Sequence, residues 1–225
     1  MIIWLASYPK SGNTWLRLFL QSLIFNEETL DINNIKIPQF PQKFHFDGLV
    51  NNFDNLEEVT KQYINAQIKI NSDKKIKFFK THSAYWKAYN TRFTDEENTL
   101  GIIHIVRDPR NVITSLKNHY ELNTEQALKW MQNENNYIYD VHRFKQDGYS
   151  DFQFISSWIT NYKSWKVQKK IPIKIIKYEE LLGETFIVFK DVIEFINKTS
   201  GNKEKINKDK LKNAVNSTLF DKLEQ

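Results

Sequence analysis

Apolar and polar positions fall in blocks that read as alternating strands and helices. Ile2 to Ser7 is a short apolar run, closed by a polar loop containing Pro9 and Gly12. From Thr14 to Phe25, the residues Trp15, Leu16, Leu18, Phe19, Leu23 and Ile24 recur at helical spacing and mark a broad apolar face. Strand, loop and helix in that order open a parallel α/β unit. Residues 30–53 show no clear period and carry Pro38 and Pro41, which predicts a long loop with aromatic anchors at Phe40, Phe44 and Phe46. Leu56 to Ile68 reads as a helix. Ile76 to Lys80 predicts a second strand that ends at Thr81-His82. Leu100 to Val106 is nearly all apolar, as a central parallel strand buried on both faces should be. After Arg107-Asp108-Pro109 a helix is expected over Arg110 to His119, with the proline near its first turn. Helical patterns cover 124–145 and 152–168. Ile173 to Lys177, introduced by Pro172, predicts a fourth strand, and Tyr178-Glu179-Glu180-Leu181 opens another helix. The last helical pattern covers 207–223. The expected architecture is α/β: one domain over 1–225, a central parallel sheet flanked by helices.

Composition narrows the class. Hydrophobic residues make up 40% and charged residues 26%, and the aromatic content (16 Phe, 10 Tyr, 6 Trp) implies large apolar contacts rather than disorder. Without cysteine there is no disulfide, thiolate metal site or cysteine nucleophile, and a reducing compartment is permitted. A formal charge of +5 suits an anionic ligand but does not require one, since many proteins are mildly basic. Lys74, Lys75 and Lys77, and the set Lys203, Lys205, Lys208, Lys210 and Lys212, read as solvated faces. Met1 is followed at once by Ile2-Ile3-Trp4-Leu5, with neither the charged leader nor the cleavage site of a signal peptide. No apolar run nears the ~20 residues that span a bilayer. The expectation is a cytoplasmic protein with no membrane span.

Polar, chemically loaded residues stand at four predicted strand ends: Lys10 to Thr14, Lys80 to His82, Arg107 and Tyr178. In an open parallel sheet the carboxyl ends of the strands share one edge, where ligands bind. In the first loop, Gly12 permits a tight turn and close backbone approach. The amides of Ser11 to Thr14 then open a helix N-terminus that favours an anion. Lys10 adds a charge, and Ser11, Asn13 and Thr14 add side-chain donors. An ordinary strand-to-helix turn capped by Thr14 is the bland alternative. The loop differs from the common nucleotide P-loop, because its lysine precedes its single glycine.

Tyr8-Pro9-Lys10-Ser11-Gly12-Asn13-Thr14-Trp15 resembles the 5′-phosphosulfate loop of the sulfotransferases that use 3′-phosphoadenosine 5′-phosphosulfate (PAPS), with Asn13 where threonine is usual. Ile105-Val106-Arg107-Asp108-Pro109-Arg110-Asn111-Val112-Ile113-Thr114-Ser115 resembles that family's second motif, which implies that Arg107 and Ser115 hold the 3′-phosphate. Lys80-Thr81-His82 resembles the Lys-Thr-His of cytosolic-type members, in which the histidine is the base. Tyr178-Glu179-Glu180-Leu181 resembles the family's Tyr-Glu-Asp-Leu, whose tyrosine contacts adenosine. Trp158 and Trp165 fit the Trp-rich helix before it. Thr218 and Phe220 resemble a Thr-x-Phe beside the adenine. A further family motif, Arg-Lys-Gly-x-x-Gly-Asp-Trp, closes on the 3′-phosphate and would be expected downstream of Phe220, past Gln225. If nothing took its place, donor affinity would fall and the site would be more open.

The resemblance implies a P-loop-type fold and in-line transfer of a sulfuryl group from PAPS to a hydroxyl or amine, releasing adenosine 3′,5′-bisphosphate (PAP). It implies His82 as base, Lys10 on the bridging oxygen and Lys80 on the sulfuryl oxygens. No metal is expected. Each role has a plainer counterpart: His82 capping a strand end, Lys80 as a solvated charge, Arg107 paired with Asp108 or Glu179, and Trp15 facing the core rather than the adenine. Phe40, Phe44 and Phe46 could line an acceptor pocket or anchor their loop. Competing functions are a weakly active or inactive PAPS/PAP-binding domain and a P-loop nucleotide kinase. A nucleic-acid module fits poorly, since no basic stripe is interleaved with aromatics. A small molecule, a sugar or a lipid all remain open as acceptor, as does the oligomeric state.

Overall fold

The computed structural model describes residues 1–139, 152–203 and 205–219. The chain enters as β1 (Ile2–Ser7), turns through a short loop, and continues as α1 (Asn13–Phe25). A long connection with a single 3-10 turn at Lys43–Phe46 leads to α2 (Leu56–Lys61) and α3 (Tyr63–Ile70). Then come β2 (Lys77–Thr81), the small hairpin β3 (Lys87–Ala88) and β4 (Thr91–Arg92), and the long strand β5 (Thr99–Val106). Beyond it are α4 (Pro109–Tyr120), α5 (Thr124–Gln132), β6 (Tyr137–Ile138), β7 (Gln153–Phe154) and α6 (Trp158–Val167). The described chain closes with β8 (Ile173–Lys177), α7 (Tyr178–Gly183), α8 (Thr185–Ser200) and α9 (Lys208–Ser217).

Four strands form one parallel sheet in the order β2-β1-β5-β8. Six buried residues in a row make β1 a strand that belongs inside, between two partners. Its side chains alternate between two cores, as the two-residue strand period requires. Ile3 and Leu5 join Leu16, Phe19, Ile103, Phe189 and Leu211 on one face. Ile2, Trp4 and Ala6 join Phe40, Tyr63, Phe93 and Trp165 on the other. Trp4 is the hub of the second layer: its ring meets Phe93 at 5.0 Å and Phe40 at 5.5 Å. Its indole N–H donates to Thr99 Oγ1 at 3.0 Å, which satisfies the polar atom of a fully buried tryptophan.

Several expected boundaries shift. The helix expected over 56–68 is two helices, broken at Gln62, whose φ of −94° and ψ of 1° leave the helical range. The pattern over 152–168 is helical only from Trp158, where the Ser157 side chain accepts from Thr160 N at 3.1 Å. Gln153–Phe154 before it pairs as a strand with Tyr137–Ile138. Helix α5 stops at Gln132, and much of the remaining span expected to be helical lies outside the described residues. The helix opened by Tyr178 ends at Gly183, and the sixteen-residue α8 that follows had no bounds from the pattern. Among the described residues no helix is long and apolar enough to cross a membrane.

Candidate active site

The carboxyl tips of β1, β2, β5 and β8 meet at one edge of the sheet, around a cavity of about 610 Å³. At the first tip the backbone turns through two left-handed residues, Lys10 with φ 65° and Gly12 with φ 99°. Gly12 is the N-cap of α1, and its carbonyl accepts from Trp15 N at 3.1 Å and Leu16 N at 3.4 Å. The helix therefore starts tightly, with its first N–H groups facing away from the helical ladder. Ser11 is almost fully buried, and its hydroxyl has no partner among the described residues. A buried donor of that kind at a helix N-terminus fits an anionic oxygen, and Ser11 itself is not among the residues that line the cavity.

Asn13 corrects one expectation. Its side-chain NH2 is turned inward, donating to Leu5 O at 2.8 Å and to Ser7 Oγ at 3.1 Å. That amide ties the loop to β1 and is not directed at a ligand.

Around the cavity the structure gathers Lys10, Gly12, Asn13, Thr14 and Trp15 from the first loop and helix, Lys80 and His82 from the end of β2, Arg107 from just after β5, Ser115 from α4 and Tyr178 from the start of α7. Ser115, whose spacing from Arg107 did not predict a meeting, lines the same cleft. Arg107 pairs with neither acidic candidate. Asp108 is taken by Arg110, and Glu179 Oε1 accepts from Asp108 N at 3.0 Å. Arg107 instead donates to Lys10 O at 3.0 Å, and its guanidinium lies 4.3 Å from the centroid of the Tyr178 ring. Its Nε is buried without a partner among the described residues. Trp15 serves two surfaces: it lines the cleft and also packs edge-on against Tyr178 and Phe189.

Other candidates stand apart. Phe40 and Phe46 are fully buried beneath Trp4, Phe44 is exposed, and none of the three lines the cleft. Trp165 is core, its N–H on Ser83 O at 3.0 Å. Thr218 caps α9 from inside, donating to Ala214 O at 3.1 Å and Val215 O at 3.0 Å, and does not reach the cavity wall. Phe220 lies outside the described residues.

His82 is held in one orientation. Its Nδ1 stands 2.8 Å from the main-chain carbonyl of Ser7 and 3.1 Å from Ser7 Oγ. A carbonyl can only accept, so Nδ1 carries the proton and Nε2 is the basic nitrogen of the neutral ring. The main chain of His82 is fixed as well, its N–H on Gln153 Oε1 at 2.7 Å and its carbonyl on Asn161 Nδ2 at 3.0 Å. Burial first, then the charge of Lys80, push its pKa well below the ordinary 6.5. Lys80 is hydrogen-bonded to Gln39 and so is not merely solvated. Burial and the neighbouring Arg107 lower the pKa of Lys10.

Lys10, Arg17, Lys80 and Arg107 give the lining four cations, and no described lining residue is a carboxylate. Among the described residues no group of three or more His, Asp or Glu could hold a metal ion. Arg17, His119 and Tyr120 were missed by the motif reading. The signal for two of them was helical spacing: Arg17 follows Asn13, and His119 follows Ser115, by one turn on the same face.

Comparison with known proteins gives a consistent likeness. A family model described as the sulfotransferase domain matches residues 2–225. Luciferin sulfotransferase of Photinus pyralis is 26% identical over 231 residues, a match that takes in 97% of this chain and 55% of that protein. A mouse sulfotransferase solved in complex with PAP superposes with a TM-score of 0.54 at 19% identity, over 98% of this chain and 65% of that one. A retinol dehydratase solved with androsterone and PAP gives 0.56 at 15% identity, with the same coverage. The chain thus spans about half the length of the curated relative and just under two thirds of the solved ones, whose likeness at this identity is one of fold.

Proposed function

The chain belongs to the sulfotransferase domain family, and on that footing we propose that it transfers a sulfuryl group from PAPS to a hydroxyl or amine of a small-molecule acceptor, releasing PAP. One observation carries the reading: a single cationic cleft holds a histidine whose Nε2 is unprotonated and whose other nitrogen is locked. The names of the similar proteins support the acceptor class, since luciferin, retinol and androsterone are all small organic molecules.

In this reading the loop amides from Ser11 to Thr14, with the Ser11 hydroxyl, receive the 5′-phosphosulfate. Arg107 and Ser115 receive the 3′-phosphate. Trp15 and Tyr178 flank the adenosine, and Thr218 and Phe220 belong to the same binding region by resemblance only. Nε2 of His82 takes the proton of the acceptor as its oxygen or nitrogen bonds to sulfur. The bond from sulfur to the 5′-phosphate oxygen breaks, and its electron pair leaves on PAP. Lys10 stabilises the charge that grows on that bridging oxygen, and Lys80 the sulfuryl oxygens. Charge stabilisation of this kind commonly contributes a factor of ~10²–10³ per donor.

The test is a binding and transfer pair. PAP at a hundred times its Kd should stabilise the protein by about 2.7 kcal/mol, and ATP with Mg²⁺ by much less. Radiolabelled sulfuryl should then appear on an acceptor when PAPS is supplied. Equal stabilisation by PAP and ATP refutes the donor assignment. PAP binding without transfer to any hydroxyl or amine refutes the activity.

A further inference from the structure

Arg17 is a cleft cation to which the reaction above gives no task. It rises from α1 one turn after Asn13 and bends toward the long connection before β2. There its Nε and one terminal nitrogen both donate to the carbonyl of Ile37, the first at 3.1 Å. That uses two of the five N–H groups a guanidinium carries. No carboxylate of a described residue pairs with it, and burial alone brings its pKa down to about 10, with no acid opposing the shift.

Its position is on the β2 side of the cleft. The connection that Arg17 holds runs beside β2: Lys80 reaches Gln39, and Phe40 N donates to Lys80 O at 3.0 Å. In the sheet order β2-β1-β5-β8, Arg17 is held to the segment beside β2, at whose tip His82 stands, whereas Arg107 follows β5 on the other side of β1 and its Lys10 loop. Ile32 is among the apolar residues that line the same cavity. A molecule presenting its hydroxyl to His82 from this side meets a pre-oriented guanidinium and an apolar surface together.

We infer that Arg17 selects acceptors that carry an anionic group, a carboxylate in the first instance, beside the hydroxyl or amine that receives the sulfuryl. The inference rests on the sulfotransfer reading and names its substrate class. Two N–H groups fixed on a carbonyl hold the guanidinium plane still, and the remaining fork matches a carboxylate. A neutral acceptor leaves a partly desolvated cation without its counter-charge.

The test uses the PAP-loaded protein and calorimetry with hydroxylated aromatic carboxylates, each beside its carboxamide, para-hydroxyphenylacetate and its amide among them. The carboxylate members are expected to bind ~tenfold or more tighter, the scale of a hydrogen bond to a charged group. Arg17→Gln should bring each pair to nearly equal affinity while the Kd for PAP holds. No preference in the wild type, or a preference that survives Arg17→Gln, overturns the inference. So does a loss of PAP affinity in that variant, which would assign Arg17 to the donor. If Arg17→Gln fails to fold, Arg17→Lys carries the test, since it keeps a charge without the fork. The preference should then fall severalfold, and an undiminished one is equally fatal. Absence of sulfuryl transfer alongside selective carboxylate binding would instead remove the sulfotransfer reading and leave the anion site standing.

Discussion

A Cβ placed on Gly12 would stand 2.5 Å from Cδ2 and 2.8 Å from Cε2 of Tyr178. The tips of β1 and β8, two strands apart in the sheet, thus touch through a residue that has no side chain. The same tyrosine ring carries the Arg107 guanidinium, so one contact sets the spacing of three motifs. In Gly12→Ala the ring must move, and the backbone must hold an alanine at φ 99°, which together cost on the order of 1–3 kcal/mol. PAP affinity should fall with it. Tyr178→Ala removes the collision but not the strain, so adding Gly12→Ala to that background should cost less than adding it to the wild type. Urea unfolding of the four proteins checks this, and strictly additive costs would show that the ring does not constrain the loop.

His82 makes a pH prediction. Its pKa is lowered, so the ring is neutral and competent as a base at pH 6.5 and somewhat below. In the PAP-free protein the imidazole should titrate by NMR in the acid range, below the ordinary value. PAP brings negative charge into the cleft, which favours the imidazolium, so the pKa should rise on binding. Ser7→Ala should leave the tautomer unchanged, because the acceptor is the main-chain carbonyl. His82→Ala should abolish transfer and retain PAP binding. A titration midpoint above 6.5 in the free protein would contradict the burial and charge that surround this ring.

Where the sequence was legible, local chemistry coincided with tertiary need. Ile2 to Ser7 and Leu100 to Val106 read as buried parallel strands because both faces of the central strands are covered, and those strands are β1 and β5. The tips were legible too, since sheet topology alone brings Lys10, His82, Arg107 and Tyr178 to one edge. What could not be read depends on side-chain direction. Asn13 looks like a ligand donor in a loop of donors, and only the path of β1 shows that Leu5 O claims its amide. Phe40 and Phe46 look like pocket aromatics, and only the position of Trp4 makes them core. Arg17 carries no motif; its importance comes from a loop carbonyl twenty residues away.

Arg107 should not tolerate lysine. It donates to Lys10 O and lies over Tyr178 at once, two contacts that depend on a planar, forked cation. A lysine ammonium can keep the charge but not both contacts, and it offers a phosphate one point in place of a fork. PAP affinity in Arg107→Lys is expected to drop ~tenfold or more, the scale of one charge-assisted hydrogen bond. Arg107→Met should drop further and flatten the salt dependence of binding, since a charge is then lost. Calorimetry at two ionic strengths separates these. Unchanged affinity in Arg107→Lys would mean that the guanidinium serves only to join the two tips.

Two histidines outside the cleft should govern acid stability. His104 sits in β5, almost fully buried beside Tyr162 and Trp165, with no partner for Nδ1 among the described residues, and burial takes its pKa down to about 3. His45 accepts from Gln42 N at 3.0 Å, and burial brings it to about 4. In the unfolded chain both return to about 6.5. The folded values are the lower ones, so as pH falls below 6.5 the unfolded state takes up protons first. The stabilisation is fully present above 6.5 and is lost progressively as pH falls toward the folded values. Each group contributes a slope of up to about 1.4 kcal/mol per pH unit within its window. His104→Phe keeps an aromatic ring against Trp165 but cannot titrate. The difference in unfolding free energy between about pH 8 and about pH 5 should therefore shrink by ~2 kcal/mol relative to the wild type. Urea unfolding at the two values measures it. An equal difference in both proteins would mean that His104 is not held neutral at the centre of the sheet.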